Sequence, residues 1–103
     1  MEKSLTAAQL ADVLASGKSV TLLDVRRKED FDKAPVTING AQWRNPAELE
    51  QWMHDLPQQE VIIYCVRGGS VSQSVQQRLA EGGYSVQFVE GGLEALKKVD
   101  QLS

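Results

Sequence analysis

The feature that most constrains this chain is the segment from Val61 to Ser72. Val61-Ile62-Ile63-Tyr64 is a run of four β-favouring residues that leads straight into Cys65, the one cysteine of the sequence. Two glycines follow within Val66-Arg67-Gly68-Gly69, and a segment with helical patterning begins after them. A thiol between a buried strand and a glycine-rich turn that opens a helix stands where backbone N–H groups attract negative charge. The same surroundings favour a thiolate. One reading makes Cys65 a nucleophile held as an anion. The other makes it a small buried hydrophobe without chemistry, the commoner fate of a lone cysteine. A purely structural cysteine, however, has no need of a cation-bearing loop that is free of side chains beside the sulfur.

With 103 residues, the chain is expected to form one domain, residues 1–103, around one core. Eleven basic and fourteen acidic residues give a net charge of −3, which argues against nonspecific nucleic-acid binding. A single cysteine excludes an internal disulfide and a cysteine-only metal site, and it suits a reducing compartment. Met1 to Thr6 carries an early acid and no apolar run, so no signal peptide is expected. No stretch has the length of a membrane span. The expectation is a cytoplasmic protein with no metal, no organic cofactor and no membrane contact.

Along the chain, Thr6 and Gln9 have the spacing of a capping box, followed by Leu10, Val13 and Leu14 at helical period and Gly17 as a stop. Val20 to Val25 reads as a strand covered on both faces. Arg26 to Lys33 is a mixed-charge run with one or two helical turns and Phe31 turned inward; most of it reads as solvated surface. Asp24 and Arg26, however, flank a strand's C-terminal end, where open α/β sheets bind ligands. Ala34 to Ala41 is an extended connection with a turn at Asn39-Gly40. Asn45-Pro46-Ala47-Glu48 signals a helix start, with an apolar face of Leu49, Trp52, Met53 and Leu56 and an end at Pro57. His54 reads as a surface residue. Val71, Val75, Leu79 and Ala80 mark a further helix closed by Gly82-Gly83. Tyr84 to Val89 is a strand, and Glu90-Gly91-Gly92 turns into a last helix through Leu93, Leu96 and Val99. This alternation predicts an α/β domain whose mostly parallel sheet has helices on both faces.

Five landmarks, in order around the cysteine loop, resemble a single-domain rhodanese, a sulfurtransferase, along nearly the whole chain. Leu22-Leu23-Asp24-Val25-Arg26 resembles the family's opening strand end, and Glu29-Asp30-Phe31 the acidic-then-aromatic element after it. Val36-Thr37-Ile38-Asn39-Gly40-Ala41 is similar to the His-Ile-x-Gly-Ala segment, with Thr37 where histidine is usual. Tyr84 to Leu93 resembles the closing strand and Gly-Gly turn.

The resemblance implies a three-layer rhodanese-like fold and a catalytic Cys65 that accepts sulfane sulfur as a persulfide. It also implies a substrate-binding loop of Val66, Arg67, Gly68, Gly69 and Ser70, supported by Asp24, Arg26 and Ser72. Arg67 resembles the basic residue of thiosulfate-using members, which favours a thiosulfate-like anion as the sulfur donor. Cyanide or a thiol, including a thioredoxin-like protein thiol, is the implied acceptor. Related phosphatases carry an arginine six residues after the cysteine; Val71 stands there, in what reads as a helix face. Against these expectations stand structural roles: an ion pair for Arg67, helix capping for Ser70 and Ser72, and a strand-to-loop tie for Asp24 and Arg26. The competing functions are a noncatalytic rhodanese-like binding module and a sulfide- or redox-sensing module. These residues specify no oligomeric state.

Overall fold

The computed structural model describes residues 3–99. Its centre is a five-stranded sheet in the order β1-β5-β4-β2-β3, with every neighbouring pair parallel. The strands are β1 (Ser4–Leu5), β2 (Val20–Asp24), β3 (Gln42–Trp43), β4 (Glu60–Tyr64) and β5 (Val86–Val89). The helices are α1 (Ala7–Ala15), α2 (Lys28–Lys33), α3 (Leu49–Trp52), α4 (Ser70–Glu81) and α5 (Gly92–Leu96).

Strand alternation divides the core into two layers. Ile62 and Tyr64 of β4 and Leu22 of β2 face one side, where Leu10 of α1 and Leu93 and Leu96 of α5 cover them. Val61, Ile63 and Cys65 share the other side with Leu23, Val25, Trp52, Met53, Val75 and Leu79, under α3 and α4. This is the predicted α/β sandwich of helix, parallel sheet and helix. Because both faces are covered, β2 and β4 read as near-continuous apolar runs.

The Thr6 capping box forms in both directions: Thr6 Oγ1 accepts from the Gln9 N–H at 3.1 Å, and Gln9 Oε1 accepts from the Thr6 N–H at 2.8 Å. The predicted helix from Asn45 is interrupted. Asn45 Oδ1 caps Ala47 at 3.0 Å, but two 3₁₀ turns, Pro46–Glu48 and Met53–Asp55, flank the four residues of α3. Trp52 and Met53 are buried there and His54 is exposed, as expected. On α4 the buried face is Ser72, Val75, Gln76 and Leu79; Ala80 is exposed and Val71 only half-buried, one position round from the expected face. The left-handed residue after α4 is Gly83, at φ +92°. Phe31 of α2 is half-buried and stacks on Trp43 with ring centroids 4.5 Å apart.

The strand order sets the position of the site. From β2 the chain moves outward to β3, and from β4 it moves outward in the opposite direction to β5. The C-terminal ends of β2 and β4 therefore form the topological switch point, where open α/β sheets leave a crevice. Asp24 to Arg26 and Cys65 follow those two strands directly.

Candidate active site

Cys65 lies immediately beyond β4, with only 5% of its surface exposed. It belongs to the wall of a cavity of about 380 Å³ together with Arg26, Arg27, Asp30, Val66, Arg67, Gly69, Ser70 and Val71. Among the described residues, no N–H group from Val66 to Ser72 finds an acceptor within the protein. The chain thus passes from the thiol through a row of unclaimed donors into the first turn of α4, an arrangement that an anion satisfies.

The loop keeps its shape by interlocking, backbone against backbone, with the first turn of α5. The Leu93 N–H donates to the Cys65 carbonyl at 2.7 Å, and the Glu94 N–H donates to the Val66 carbonyl at 3.2 Å. Gly68 and Gly92 both have positive φ, +72° and +56°. A Cβ on Gly92 would lie 2.4 Å from the Cys65 carbonyl oxygen and 2.7 Å from the amide nitrogens of Arg67 and Gly68. A Cβ on Gly68 would lie 2.7 Å from the Val89 carbonyl oxygen. Gly68 therefore faces the closing turn, while Gly69 faces the cavity.

Arg26 lines the cavity, and Asp24 holds it from behind. Both are buried, and an Arg26 Nη lies 2.6 Å from Asp24 Oδ2. The remaining Arg26 donors reach the Ala34 and Val36 carbonyls at 3.0 and 3.1 Å, while its own carbonyl accepts from Trp43 Nε1 at 2.9 Å. This pair ties the strand end to the crossover that follows α2. Next to it, the Tyr64 hydroxyl accepts from the Ile38 N–H at 3.2 Å. Burial holds the Tyr64 phenol protonated well above its ordinary range, and the Asp24 carboxylate adds to that effect. Thr37 is half-buried and donates to the Ala41 carbonyl at 3.2 Å, a local tie across the turn.

Of the remaining predicted site residues, Arg67 and Ser70 line the cavity with Cys65, and Ser72 does not. Arg67 points outward, its side chain 80% exposed, with Nε 2.6 Å from Glu94 Oε2. Ser70 is exposed at the first position of α4, while Gly69 occupies the N-cap. Ser72 is fully buried on the α4 face that meets the sheet, and its hydroxyl has no hydrogen-bond partner. Such a group costs about 1–3 kcal/mol when left unsatisfied.

Three wall residues, Arg27, Asp30 and Val71, were not expected from the sequence. Arg27 lay within a charge run read as solvated, although it directly follows the strand-end arginine. Val71 was assigned to a helix face; it is on α4, packs half-buried against the core, and also lines the cavity. In that position an apolar side chain stands where the phosphatase pattern has its cationic clamp.

Among the described residues, no cluster of His, Cys, Asp and Glu could hold a metal ion, and no helix is long and apolar enough to cross a membrane.

Residues 6–99 match the family model described as Rhodanese-like domain. Among solved structures, the chain superimposes on a rhodanese-like domain protein from Staphylococcus aureus with a TM-score of 0.81 at 27% identity, covering 93% of this chain and 91% of that one. A rhodanese homolog from the extremely thermophilic bacterium Thermus thermophilus gives a TM-score of 0.69 at 28% identity, over 92% of this chain and all of that one. A curated relative, tRNA 2-selenouridine synthase of Shewanella oneidensis, is 39% identical over 51 residues, which is 48% of this chain and 14% of that protein. The enzyme of the same name from Shewanella pealeana is 47% identical over 36 residues, 35% of this chain and 10% of its length. The match to the family model over nearly the whole chain, on the fold and around the cysteine loop described above, means that this chain belongs to the rhodanese-like domain family, a family of sulfur-transfer domains.

Proposed function

We propose that the protein is a sulfurtransferase that carries sulfane sulfur on Cys65 from a thiosulfate-like anion to a thiophilic acceptor. The observation that supports this most is the row of unclaimed N–H groups from Val66 to Ser72 directly following the cysteine in the cavity wall. The Cys65 thiolate attacks the outer sulfur of the donor, the donor S–S bond breaks, and sulfite leaves with the bonding electron pair. The product, Cys65–S–S⁻, is again an anion, so the same backbone donors serve both states. Cyanide or a thiol then removes the outer sulfur and regenerates the thiolate, a two-step cycle through a covalent intermediate.

Supporting roles are assigned to the neighbouring residues. The Ser72 hydroxyl, buried without a partner in the resting protein, is assigned to donate to the sulfur. Arg67 draws anions toward the loop from its exposed position while Glu94 orients it. Asp24 and Arg26 keep the cavity wall rigid and need not touch the substrate. The cavity wall includes the exposed residues Arg27, Arg67, Gly69 and Ser70, and the acceptor proposed for it is a thioredoxin-like protein thiol in a cytoplasmic setting.

The names of the curated relatives favour a second reading, in which the domain delivers its sulfur, or the heavier chalcogen, to a partner that modifies tRNA. With a net charge of −3, that partner rather than this chain would hold the nucleic acid.

Thiocyanate release from thiosulfate and cyanide tests the proposal. Wild-type protein is expected to turn over and Cys65→Ser is expected to be inactive with its unfolding transition intact. Turnover retained in Cys65→Ser would remove the mechanism. A folded wild-type protein without any turnover would favour the binding-module alternative.

A further inference from the structure

A cavity of about 360 Å³ lies between the end of β3 and the short helical run around α3, and none of its wall residues also lines the cysteine cavity. Trp43 and Arg44 contribute from the strand end. Glu48, Gln51, Trp52 and Asp55 contribute from the helical run, at the spacing of three and four residues that places them on one side of it. Both indoles are fixed: Trp43 Nε1 donates to the Arg26 carbonyl at 2.9 Å, and Trp52 Nε1 to the Asn45 carbonyl at 2.7 Å.

The charged side chains of this wall are not fixed in that way. Arg44 is half-buried, and its Nε is sealed from solvent without a hydrogen-bond partner. Buried polar atoms are ordinarily satisfied, so this guanidinium lacks an acceptor. The acids beside it do not supply one. Among the described residues, Arg44, Glu48 and Asp55 form no ion pair, and their side chains make no hydrogen bond. One positive and two negative groups thus share a cavity wall without pairing.

Those charges choose the ligand. A simple anion drawn to Arg44 also meets two carboxylates, and a simple cation drawn to the carboxylates also meets Arg44. A molecule that carries both signs meets an opposite charge at each point. The volume is that of a small-molecule site. We infer that this cavity binds a basic α-amino acid, its carboxylate on Arg44 and its two ammonium groups on Glu48 and Asp55. A small turn of the Arg44 head presents Nε and an amino group together, the fork that takes a carboxylate bidentately. The site is independent of the chemistry proposed for Cys65.

Trp43 and Trp52 are the two tryptophans of the chain, and both line this cavity, so intrinsic fluorescence reads its occupancy without a label. Titration with L-lysine is expected to give a saturable change, and calorimetry the same dissociation constant. Cadaverine is lysine without its carboxylate and is expected to bind about tenfold more weakly, the loss of one charge-assisted contact. Arg44→Gln is expected to bring lysine and cadaverine to equal affinity. Arg44→Lys, which keeps the charge but not the fork, is expected to retain only part of the preference. Glu48→Gln and Asp55→Asn, both at exposed positions, are each expected to weaken lysine about tenfold with the fold intact. No saturable response to lysine by either method would overturn the site, and would mean that Arg44 is satisfied by its own neighbours in solution. Equal binding of lysine and cadaverine by the wild type, or a preference that survives Arg44→Gln, would overturn it as well.

Discussion

Gly92→Ala probes the interlock between the cysteine loop and the closing turn. Gly92 has φ +56°, and its Cβ would meet three backbone atoms of the loop, the closest at 2.4 Å. None of the three is the end of a flexible side chain, so the loop or the turn must move. The left-handed conformation costs an L residue about 1–2 kcal/mol. Relieving an overpacked contact costs about 1–3 kcal/mol more. Weakening the bond from the Leu93 N–H to the Cys65 carbonyl adds about 0.5–1.5 kcal/mol. The sum is about 2.5–6.5 kcal/mol, a large part of the about 5–15 kcal/mol that holds a domain folded. Gly17→Ala is the control, because Gly17 has φ +76° and nothing within 4 Å of its Cβ. Urea unfolding of the two variants separates the conformational cost, common to both, from the steric cost unique to Gly92. Gly92→Ala is also expected to lose persulfide formation under conditions where it is still folded. A difference between the variants below about 0.5 kcal/mol, within ordinary mutational noise, would refute the interlock.

Three further outcomes follow from the site. Asp24→Asn leaves a buried guanidinium without its counter-charge and is expected to cost about 3–5 kcal/mol in urea unfolding; a change under about 1 kcal/mol would show that the carbonyls of Ala34 and Val36 hold Arg26 unaided. Tyr64 keeps its proton in the folded protein at a pH where the unfolded chain's tyrosine ionises, so its contribution is complete below about pH 10 and declines as the pH rises further. Unfolding midpoints at about pH 9 and pH 11 should therefore fall more for the wild type than for Tyr64→Phe, and equal slopes would contradict the burial argument. Ser72→Ala removes an unpaired buried hydroxyl and is expected to stabilise the resting fold by about 1 kcal/mol while slowing persulfide formation; an unchanged rate would mean that the hydroxyl does not serve the sulfur.

Central elements were legible in the sequence because burial on both faces writes continuous apolar runs, as in Val61 to Tyr64. The edge strands β1 and β3 were not, since two residues cannot display an alternation and each has only one neighbouring strand to pair with. The helix signals from Asn45 were correct at the start, but they do not report that Met53 and Trp52 must both reach the core, and the chain does this by tightening into 3₁₀ turns on either side of α3. At the site, Cys65 and its glycine loop were visible as an unusual local combination. Arg27 and Val71 were not, because their roles depend on which walls the fold brings together. Gly92 was visible as part of a turn, but its contact with Cys65, 27 positions away, belongs to the tertiary structure. Arg67 carried two readings in the sequence. Its ion pair with Glu94 is present, and its exposure leaves it able to meet an incoming anion.

The central claim is that Cys65 carries the sulfur. Intact-mass measurement under non-reducing conditions, before and after thiosulfate and then after cyanide, tests it directly. The protein is expected to gain one sulfur atom, to place it on Cys65, and to lose it to cyanide as thiocyanate, with Cys65→Ala unchanged throughout. A wild-type protein whose mass does not move with thiosulfate, polysulfide or an organic thiosulfonate, while its fold is intact, would contradict the claim.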